Sequence, residues 1–386
     1  MKPFADRLRK LGTETAFDVL ARARALESQG ARIIHMEIGE PDFDTPSDIR
    51  HAAQRALDEG YTHYTPAAGL PALRRAIAEE VARTRGIPVT AENIVVVPGG
   101  KMIIFFTIMA LLNPGDEVIY PNPGFPIYES MINFVGGVPV PMRLREERQF
   151  SFDPDEFRSL MTPRTKLIIL NSPGNPCGGV LTRADLEVVA AEAQEHDCYV
   201  LSDEIYSRIL YEGESVSIAS LPGMQERTVI LDGFSKTYAM TGWRLGYGVM
   251  RRELAAWTSR LISNSNSCTA AFTQMAGIAA LTGDQGEARK MVEEFRRRRD
   301  AIVRGLNDIP GIHCCMPHGA FYVFPNISEL GVTSRELADK LLYQGSVATL
   351  AGTAFGKYGE GFLRLSYATS LDKIRHALHR IREAIG

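Results

Sequence analysis

The chain has 386 residues, of which 45% are hydrophobic and 23% charged, values that are ordinary for a folded globular protein. The formal net charge of −3 creates no overall field that favours nucleic acid or an acidic membrane surface, so we expect neither as a partner. The longest apolar runs, such as Met102–Leu112, are about half the length needed to cross a bilayer, and residues 1–10 lack the apolar core of a signal peptide. Five cysteines without a framework spacing favour a reducing compartment, and we expect a cytoplasmic protein.

In chain order, the pattern begins with a helix and a strand and then alternates helices with short apolar strands. Thr15–Gln29 has apolar residues at helical spacing, and Arg32–Ile38 alternates as a strand does before turn-rich residues 39–43. From about Pro46 to Leu281, helical segments separate six predicted strands: Ile94–Val97, Glu117–Tyr120, Leu167–Leu170, Tyr199–Leu201, Thr228–Leu231 and Gly246–Met250. This alternation predicts an α/β fold, with helices on both faces of a mostly parallel sheet and ligands beyond the carboxyl ends of its strands.

A second, smaller unit is predicted after the long charged helix Gln285–Asn307. The predicted elements are the strands Ile312–Cys315, Phe321–Phe324, Val347–Leu350 and Phe362–Leu365 and a closing helix, Leu371–Ile385. The N-terminal helix has no obvious place in the large sheet, so we expect it to pack with the smaller unit. The predicted divisions are an N-terminal arm and helix at 1–45, a large domain at 46–283 and a small α+β domain at 284–386.

A lysine directly follows the predicted strand Thr228–Leu231, in the segment 233–246 with the sequence GFSKTYAMTGWRLG. Small neighbours at a strand end predict a poorly solvated Lys236 amine, with a lowered pKa and the ability to condense with an aldehyde. Arg244, eight residues later, could reach a phosphate beside that aldehyde. Two such residues alone are more often solvated surface groups. The whole segment, however, resembles position for position the lysine signature of the class I aminotransferases of pyridoxal 5'-phosphate (PLP) fold type I.

The resemblance extends from Gly39 to Tyr367 with the family's motifs in order, and it is greatest to the bacterial aspartate aminotransferase-like branch of the class I and II enzymes. It implies a mostly parallel, seven-stranded sheet in a large PLP-binding domain, and PLP held as a Schiff base on Lys236. Many relatives have a phosphate-binding serine where this chain has Gly233. We therefore expect Ser235 to supply that hydroxyl.

Four further residues match positions that hold the PLP ring in this family. Asp203, in the segment 201–206 (LSDEIY), is expected to keep the pyridine nitrogen protonated, although a strand-end Asp alone could equally be a helix N-cap. The resemblance gives Tyr206 and Asn175 the ring oxygen as their ligand and gives Phe125 a stacking role. In the segment 171–178 (NSPGNPCG), Cys177 replaces the family's usual threonine. Since the asparagine makes the hydrogen bond, we expect the site to tolerate this change.

The phosphate is expected to bind at a glycine turn between a strand and a helix. Gly99, Gly100 and Lys101 form this turn, where free backbone N–H groups and the helix dipole face an anion. A pair of glycines is weak evidence by itself, but its distance ahead of the lysine matches the family. Tyr64 matches a tyrosine that in relatives reaches the phosphate of the neighbouring subunit. The resemblance therefore implies a homodimer in which each site is completed by its partner.

The substrate side is predicted from a charge inside an apolar strand. Arg364, in the segment 362–367 (FLRLSY), needs an anionic partner, which could be a structural ion pair or a substrate carboxylate. The family places its carboxylate-binding arginine here, together with Asn175 and the backbone around Gly39. Relatives that act on aspartate have a lysine at the position of Lys101 that is said to reach the distal carboxylate. We predict transfer of an amino group from an L-amino acid, with aspartate and 2-oxoglutarate as the best guess ahead of alanine or aromatic amino acids.

Two alternative functions remain open at this point. A PLP-dependent β-lyase or synthase of the same fold would use the same lysine and aspartate, so these motifs do not separate the reactions. A ligand-sensing regulator is less favoured, because we expect no room for a DNA-binding segment in residues 1–17. No metal site is predicted, since Cys314 and Cys315 should point to opposite faces of a strand, and His376 and His379 fit a solvated helix face.

Overall fold

The computed structural model describes residues 2–386 of the chain. Its strands within this range are β1 (Ile34–His35), β2 (Ile94–Val97), β3 (Glu117–Asn122), β4 (Val138–Arg145), β5 (Ser151–Phe152), β6 (Thr165–Asn171), β7 (Tyr199–Asp203), β8 (Thr228–Gly233), β9 (Gly246–Val249), β10 (Tyr322–Val323), β11 (Val347–Ala348), β12 (Leu350–Ala351) and β13 (Leu363–Ser366). Its helices are α1 (Thr15–Ser28), α2 (Ser47–Asp58), α3 (Pro71–Arg85), α4 (Lys101–Leu111), α5 (Ile127–Val135), α6 (Pro154–Leu160), α7 (Arg183–Glu195), α8 (Arg252–Ser265), α9 (Ala271–Thr282), α10 (Gly286–Asn307), α11 (Ser334–Tyr343) and α12 (Leu371–Ile385). Among residues 2–386, we find no helix that combines the length and the apolar character needed to span a membrane.

The predicted mostly parallel sheet is confirmed, with the strand order β2-β9-β8-β7-β6-β3-β4-β5. Six strands run in one direction, and β9 and β5 run against them. The sheet has eight strands rather than seven, because the two-residue β5 pairs with the edge of β4. Alternate residues of β2 point into different layers, with Val95 and Val97 in one apolar cluster and Ile94 and Val96 in another. Both faces of the sheet are therefore covered, as a parallel sheet requires.

The sequence analysis did not predict β4, whose residues read VPVPMRLR. Two prolines in eight residues argue against a central strand, since proline has no N–H for the ladder. The strand lies next to the sheet edge, where it pairs in parallel with β3 and shares only two residues with β5. A position this close to the edge tolerates prolines that an interior strand would exclude.

The remaining strands form two small sheets, a parallel pair β1–β11 and an antiparallel sheet in the order β10-β13-β12. The prediction of a strand at Ile312–Cys315 was wrong, because only His313 forms a bridge, with Asn326. The next residue cannot extend that ladder, since the side chain of Asn307 binds both the N–H and the carbonyl of Cys314, at 2.8 and 3.0 Å.

The N-terminal helix α1 packs against the small sheets rather than the large one. Its buried Val19 and Ala23 share an apolar cluster with Leu342, Ala348 and Leu350. This packing agrees with an N-terminal helix that joins the smaller unit. The domain boundaries at residues 45 and 283 stay predictions.

Candidate active site

A cavity of about 520 Å³ lies beyond the carboxyl ends of the large sheet's strands. β6, β7 and β8 run in parallel, so the residues that end them or follow them reach the same edge. The predicted site residues that line this cavity are Gly39, Gly100, Lys101, Phe125, Asn175, Asp203, Tyr206, Ser235, Lys236, Arg244 and Arg364. Residues separated by more than 300 positions in the chain therefore meet in one place.

Lys236 follows β8 by three residues and points into the cavity. Its Nζ donates a hydrogen bond to the carbonyl oxygen of Gly39 at 2.6 Å. Burial lowers the pKa of Lys236 to about 8, against a weaker opposing effect of the Glu40 carboxylate. A Cβ atom at Gly39 would lie 2.0 Å from the hydroxyl oxygen of Tyr322, so a side chain there would displace this loop. Because its pKa is lowered to about 8, the Lys236 amine is partly neutral near physiological pH, as the sequence predicted.

Asp203 ends β7 and is buried. The Tyr128 hydroxyl donates to its Oδ2 at 2.7 Å, and the Ile205 N–H donates to its Oδ1 at 3.2 Å. Burial raises the pKa of Asp203 to about 6, although the Tyr128 hydrogen bond opposes the shift. Among the described residues, no cationic side chain lies within 4.0 Å of this carboxylate. Asp203 therefore makes a local turn contact and still offers an acceptor to a cationic ligand.

The turn between β2 and α4 presents unused donors to the cavity. Within residues 2–386, the backbone N–H groups of Gly100 and Lys101 donate to no acceptor. Gly99 has a φ of +93°, and a Cβ atom there would lie 2.1 Å from Nη2 of Arg244, so the guanidinium rests directly against this turn. The buried Ser235 borders the same space. Together these groups form a cradle for an anion.

The predicted ring-oxygen partners each have a neighbour that the sequence did not reveal. The hydroxyls of Tyr206 and Tyr322 are hydrogen-bonded at 2.7 Å, and the Asn175 Oδ1 accepts from Arg364 at 3.2 Å. Burial raises the pKa of the Cys177 thiol well above its usual value, so Cys177 stays protonated in its apolar surroundings. The loop keeps its asparagine facing the cavity despite the cysteine beside it.

Arg364 on β13 is 4% exposed and has no carboxylate oxygen within 4.0 Å among the described residues. Its Nη1 donates to Asn175, its Nη2 donates to the backbone oxygen of Glu37, and its Nε has no acceptor. The guanidinium lies 4.6 Å from the ring centre of Tyr322 and 5.0 Å from that of Phe355. The alternative of a structural ion pair is therefore wrong, and the charge is left facing the cavity.

Two predicted residues have different surroundings from the others. Tyr64 is 90% exposed and does not line the cavity of its own chain. Lys101 does line it, but its Nζ forms an ion pair with the carboxylate of Glu14. The sequence analysis did not identify Glu14, Tyr128 or Tyr322. Nothing in the local sequence signals these contacts, which join residues far apart in the chain or on separate elements.

Outside this cavity, ligand atoms of Glu146, His313 and Cys315 lie within 4.8 Å of one another. Hydrogen bonds account for the grouping, since Glu146 binds His313 at 2.7 Å and accepts from Asn326 at 2.6 Å. Burial raises the pKa of Cys315 to about 11, which disfavours the thiolate that a metal would need. The sequence prediction of no metal site stays a prediction.

Comparison with known proteins identifies the family. The family profile described as aminotransferase class I and II matches residues 31–381. The chain belongs to this family. As a class I and II aminotransferase it is an enzyme that depends on PLP and has the fold of type I, as predicted from its sequence.

Similar aminotransferases cover nearly the whole chain. An aspartate aminotransferase of Pyrococcus horikoshii is 40% identical over 370 residues, which is 95% of this chain and 93% of that protein. An aromatic-amino-acid aminotransferase of Thermococcus litoralis is 38% identical over 385 residues, or 99% and 98% of the two chains. The solved structure of Thermus thermophilus aspartate aminotransferase with maleate has a TM-score of 0.95 and 40% identity, with both chains fully covered. At nearly equal identity these relatives are named for different amino acids, so overall similarity does not select the side chain.

Proposed function

We propose that this aminotransferase binds PLP through Lys236 and uses Arg364 to hold the α-carboxylate of an L-amino acid or a 2-oxo acid. The observation that carries the proposal is the combination of three groups in one cavity. Lys236 has an amine of lowered pKa, Asp203 is a buried carboxylate without a cation, and Arg364 is a buried guanidinium without a carboxylate. Each lacks the partner that a PLP–amino acid pair would supply.

The donors present also fit the other parts of PLP. The free N–H groups of Gly100 and Lys101, the Arg244 guanidinium and the Ser235 hydroxyl suit a phosphate. Asp203 suits a protonated pyridine nitrogen. Outside the phosphate cradle, Tyr206 and Asn175 suit the ring oxygen, and Phe125 gives the ring an apolar surface, as the sequence predicted.

When bound, PLP supplies an aldehyde that condenses with amines and a ring that accepts electrons from the substrate's α-carbon. The protein residues bind, orient and move protons. Arg364 would orient the substrate through its carboxylate. The neutral Nζ of Lys236 would remove the proton from the α-carbon, hold it as an ammonium, and give it up again later in the same half-reaction. Asp203 would keep the ring nitrogen protonated by accepting a hydrogen bond from it. This hydrogen bond would be stronger than one in water, because Asp203 is buried.

We also propose a homodimer in which Tyr64 binds the phosphate in the partner's site. Support comes from apolar and aromatic side chains that are exposed in the single chain. Tyr64 is exposed, and so are Phe4, Leu8 and Leu11 of the N-terminal arm. Exposed groups of this kind mark association surfaces. A cytoplasmic location stays a proposal supported by five cysteines that are all unpaired.

Borohydride reduction of the purified protein, followed by peptide mass spectrometry, tests the proposed lysine. The PLP mass should be found on Lys236, and Lys236→Ala should lose both the label and the visible absorbance of bound PLP. Lys290→Ala is the matched control, because this lysine is 76% exposed on α10 and should leave labelling unchanged. A label on another residue contradicts the proposal.

A product assay then separates the reaction types. With an L-amino acid and a 2-oxo acid, transfer yields the 2-oxo acid of the donor in step with the new amino acid. Release of ammonia and pyruvate would indicate a lyase instead.

A further inference from the structure

The N-terminal segment that precedes and begins α1 forms part of the cavity wall. Glu14, Ala16 and Phe17 border the cavity opposite α4. The segment is anchored, since the Gly12 N–H donates to the Ser130 hydroxyl at 2.9 Å and Arg7 lies 5.6 Å from the ring centre of Phe134. Residues near the start of the chain therefore have a defined position beside the substrate space.

Glu14 directs its carboxylate to Lys101 across the mouth of the cavity. As the residue before α1, it could cap that helix, yet it makes no capping hydrogen bond. Its side chain is 18% exposed, whereas that of Lys101 is 44% exposed, so the carboxylate is the more buried partner. Lys101 also lies 5.4 Å from the ring centre of Phe125, which places the ion pair next to the expected position of the PLP ring.

The charges at this outer end of the cavity do not favour a second carboxylate. Glu14 neutralises Lys101, and Glu40, held by a hydrogen bond from Thr241, adds a further negative charge. Apolar side chains line the same cavity, among them Phe17, Ile38 and Ile104. A carboxylate bound here would have to displace Glu14 from Lys101 and leave a partly buried anion beside another anion, which is unfavourable.

We infer that Glu14 determines substrate specificity by occupying Lys101, so that the enzyme prefers amino acids with an apolar side chain and excludes a distal carboxylate. The inference rests on the proposed function, because it assumes that Arg364 holds the α-carboxylate and so directs the side chain toward Lys101. It replaces aspartate, the substrate expected from Lys101 alone. The same selection applies to both half-reactions, so the preferred 2-oxo acid also lacks a second carboxylate.

Kinetics of the PLP-loaded enzyme with phenylalanine and aspartate test this inference. The wild type should have the higher kcat/KM with phenylalanine. Glu14→Gln keeps the size of the side chain and releases Lys101, so the aspartate-to-phenylalanine ratio of kcat/KM should rise about tenfold or more, the value of one hydrogen bond to a charged group. The gain should be lost in the double variant Glu14→Gln with Lys101→Met. Asp18→Asn is the control, since it removes a charge from the exposed side of α1 and should leave the ratio unchanged.

A binding measurement gives a second readout that does not depend on turnover. Titration calorimetry with succinate and with 3-phenylpropionate should show tighter binding of 3-phenylpropionate to the wild type and tighter binding of succinate to Glu14→Gln than to the wild type. A wild type that favours aspartate, or an unchanged ratio in Glu14→Gln, overturns this inference alone, because transfer still occurs. Absence of transfer with both donors also overturns this inference, and a borohydride label away from Lys236 overturns the proposed function and the inference with it.

Discussion

Replacing Arg364 with methionine should affect activity and stability in opposite directions. Methionine has a similar volume but no charge. The arginine is 4% exposed, its Nε has no acceptor, and burial lowers its pKa, all of which indicate a charge that the folded protein does not fully stabilise. Removing a buried charge that has no counter-charge removes its desolvation cost, whereas breaking a buried ion pair by removing one partner costs about 3–5 kcal/mol. We expect the PLP-free Arg364→Met protein to be at least as stable as the wild type in urea unfolding.

Activity should fall sharply in the same variant. A guanidinium holds a carboxylate through two charge-assisted hydrogen bonds, each of about 1.5–3 kcal/mol. Loss of both lowers kcat/KM by about 10²–10⁴-fold, measured with a saturating 2-oxo acid and varied donor. The loss should be common to all donors, because every amino acid presents the same α-carboxylate.

Arg298→Met is the matched control for the stability measurement. Arg298 is also buried, but it binds Asp42 at 2.6 Å and Glu294 at 3.0 Å, so its replacement should destabilise the protein by about 3–5 kcal/mol. If Arg364→Met destabilised the protein equally and kept kcat/KM within about tenfold of the wild type, Arg364 would be a structural residue and the reasoning would be refuted.

Four further outcomes are expected. Arg85→Met should lower the free energy of unfolding by about 3–5 kcal/mol, because it leaves the buried carboxylates of Glu204 and Asp232 without their cation. Arg83→Met, at an exposed position of the same helix, should change the free energy of unfolding by less than about 1 kcal/mol. In the PLP-free protein the pKa of Asp203 is about 6, above its unfolded value, so its ionised carboxylate destabilises the fold above that pH and this destabilisation disappears as the pH falls. Asp203→Asn should therefore stabilise the PLP-free protein near pH 8 but not near pH 4. Equal effects at both pH values would contradict the raised pKa. Because the neutral amine of Lys236 reacts with the aldehyde, the rate of PLP uptake should rise about tenfold per pH unit and level off above the Lys236 pKa of about 8. A stopped-flow profile that still rises at about pH 10 would exclude the lowered pKa. Tyr64→Phe should weaken PLP binding about tenfold in a fluorescence titration. The unfolding midpoint of the PLP-free protein should not change, since the ring of Tyr64 is exposed within the chain.

The structure brings together the predicted site residues that follow strand ends. Asp203, Lys236 and the Gly99–Gly100 turn all stand just after apolar runs, and parallel strands bring such positions to one edge. Their order along the chain also carried the resemblance to the family. Local pattern and global fold agree at these positions, which is why short segments were enough to predict that these residues lie close together.

The contacts that were missed depend on tertiary packing. Tyr128 is the second residue of α5, in a segment that resembles ordinary core, and only the tertiary packing of α5 brings its hydroxyl to Asp203 at the end of β7. Glu14 and Lys101 are separated by 87 positions, and no periodicity relates them. The prediction that Lys101 contacts a substrate carboxylate was therefore made without knowledge of Glu14, and it stays a prediction.

The charges of the cavity show why its function can be inferred without a ligand. Folding normally pairs a buried charge or neutralises it, yet Arg364, Asp203 and Lys236 share one cavity without ion pairs among themselves. Burial disfavours the charged form of each, as the lowered pKa values of Arg364 and Lys236 and the raised pKa of Asp203 show. A ligand with a carboxylate, a cationic ring nitrogen and an aldehyde would relieve all three penalties together. The Glu14–Lys101 pair differs because it is already neutralised within the protein. On the proposed function, the unpaired charges would bind the groups that all substrates share, whereas the Glu14–Lys101 pair would contact the side chain by which substrates differ.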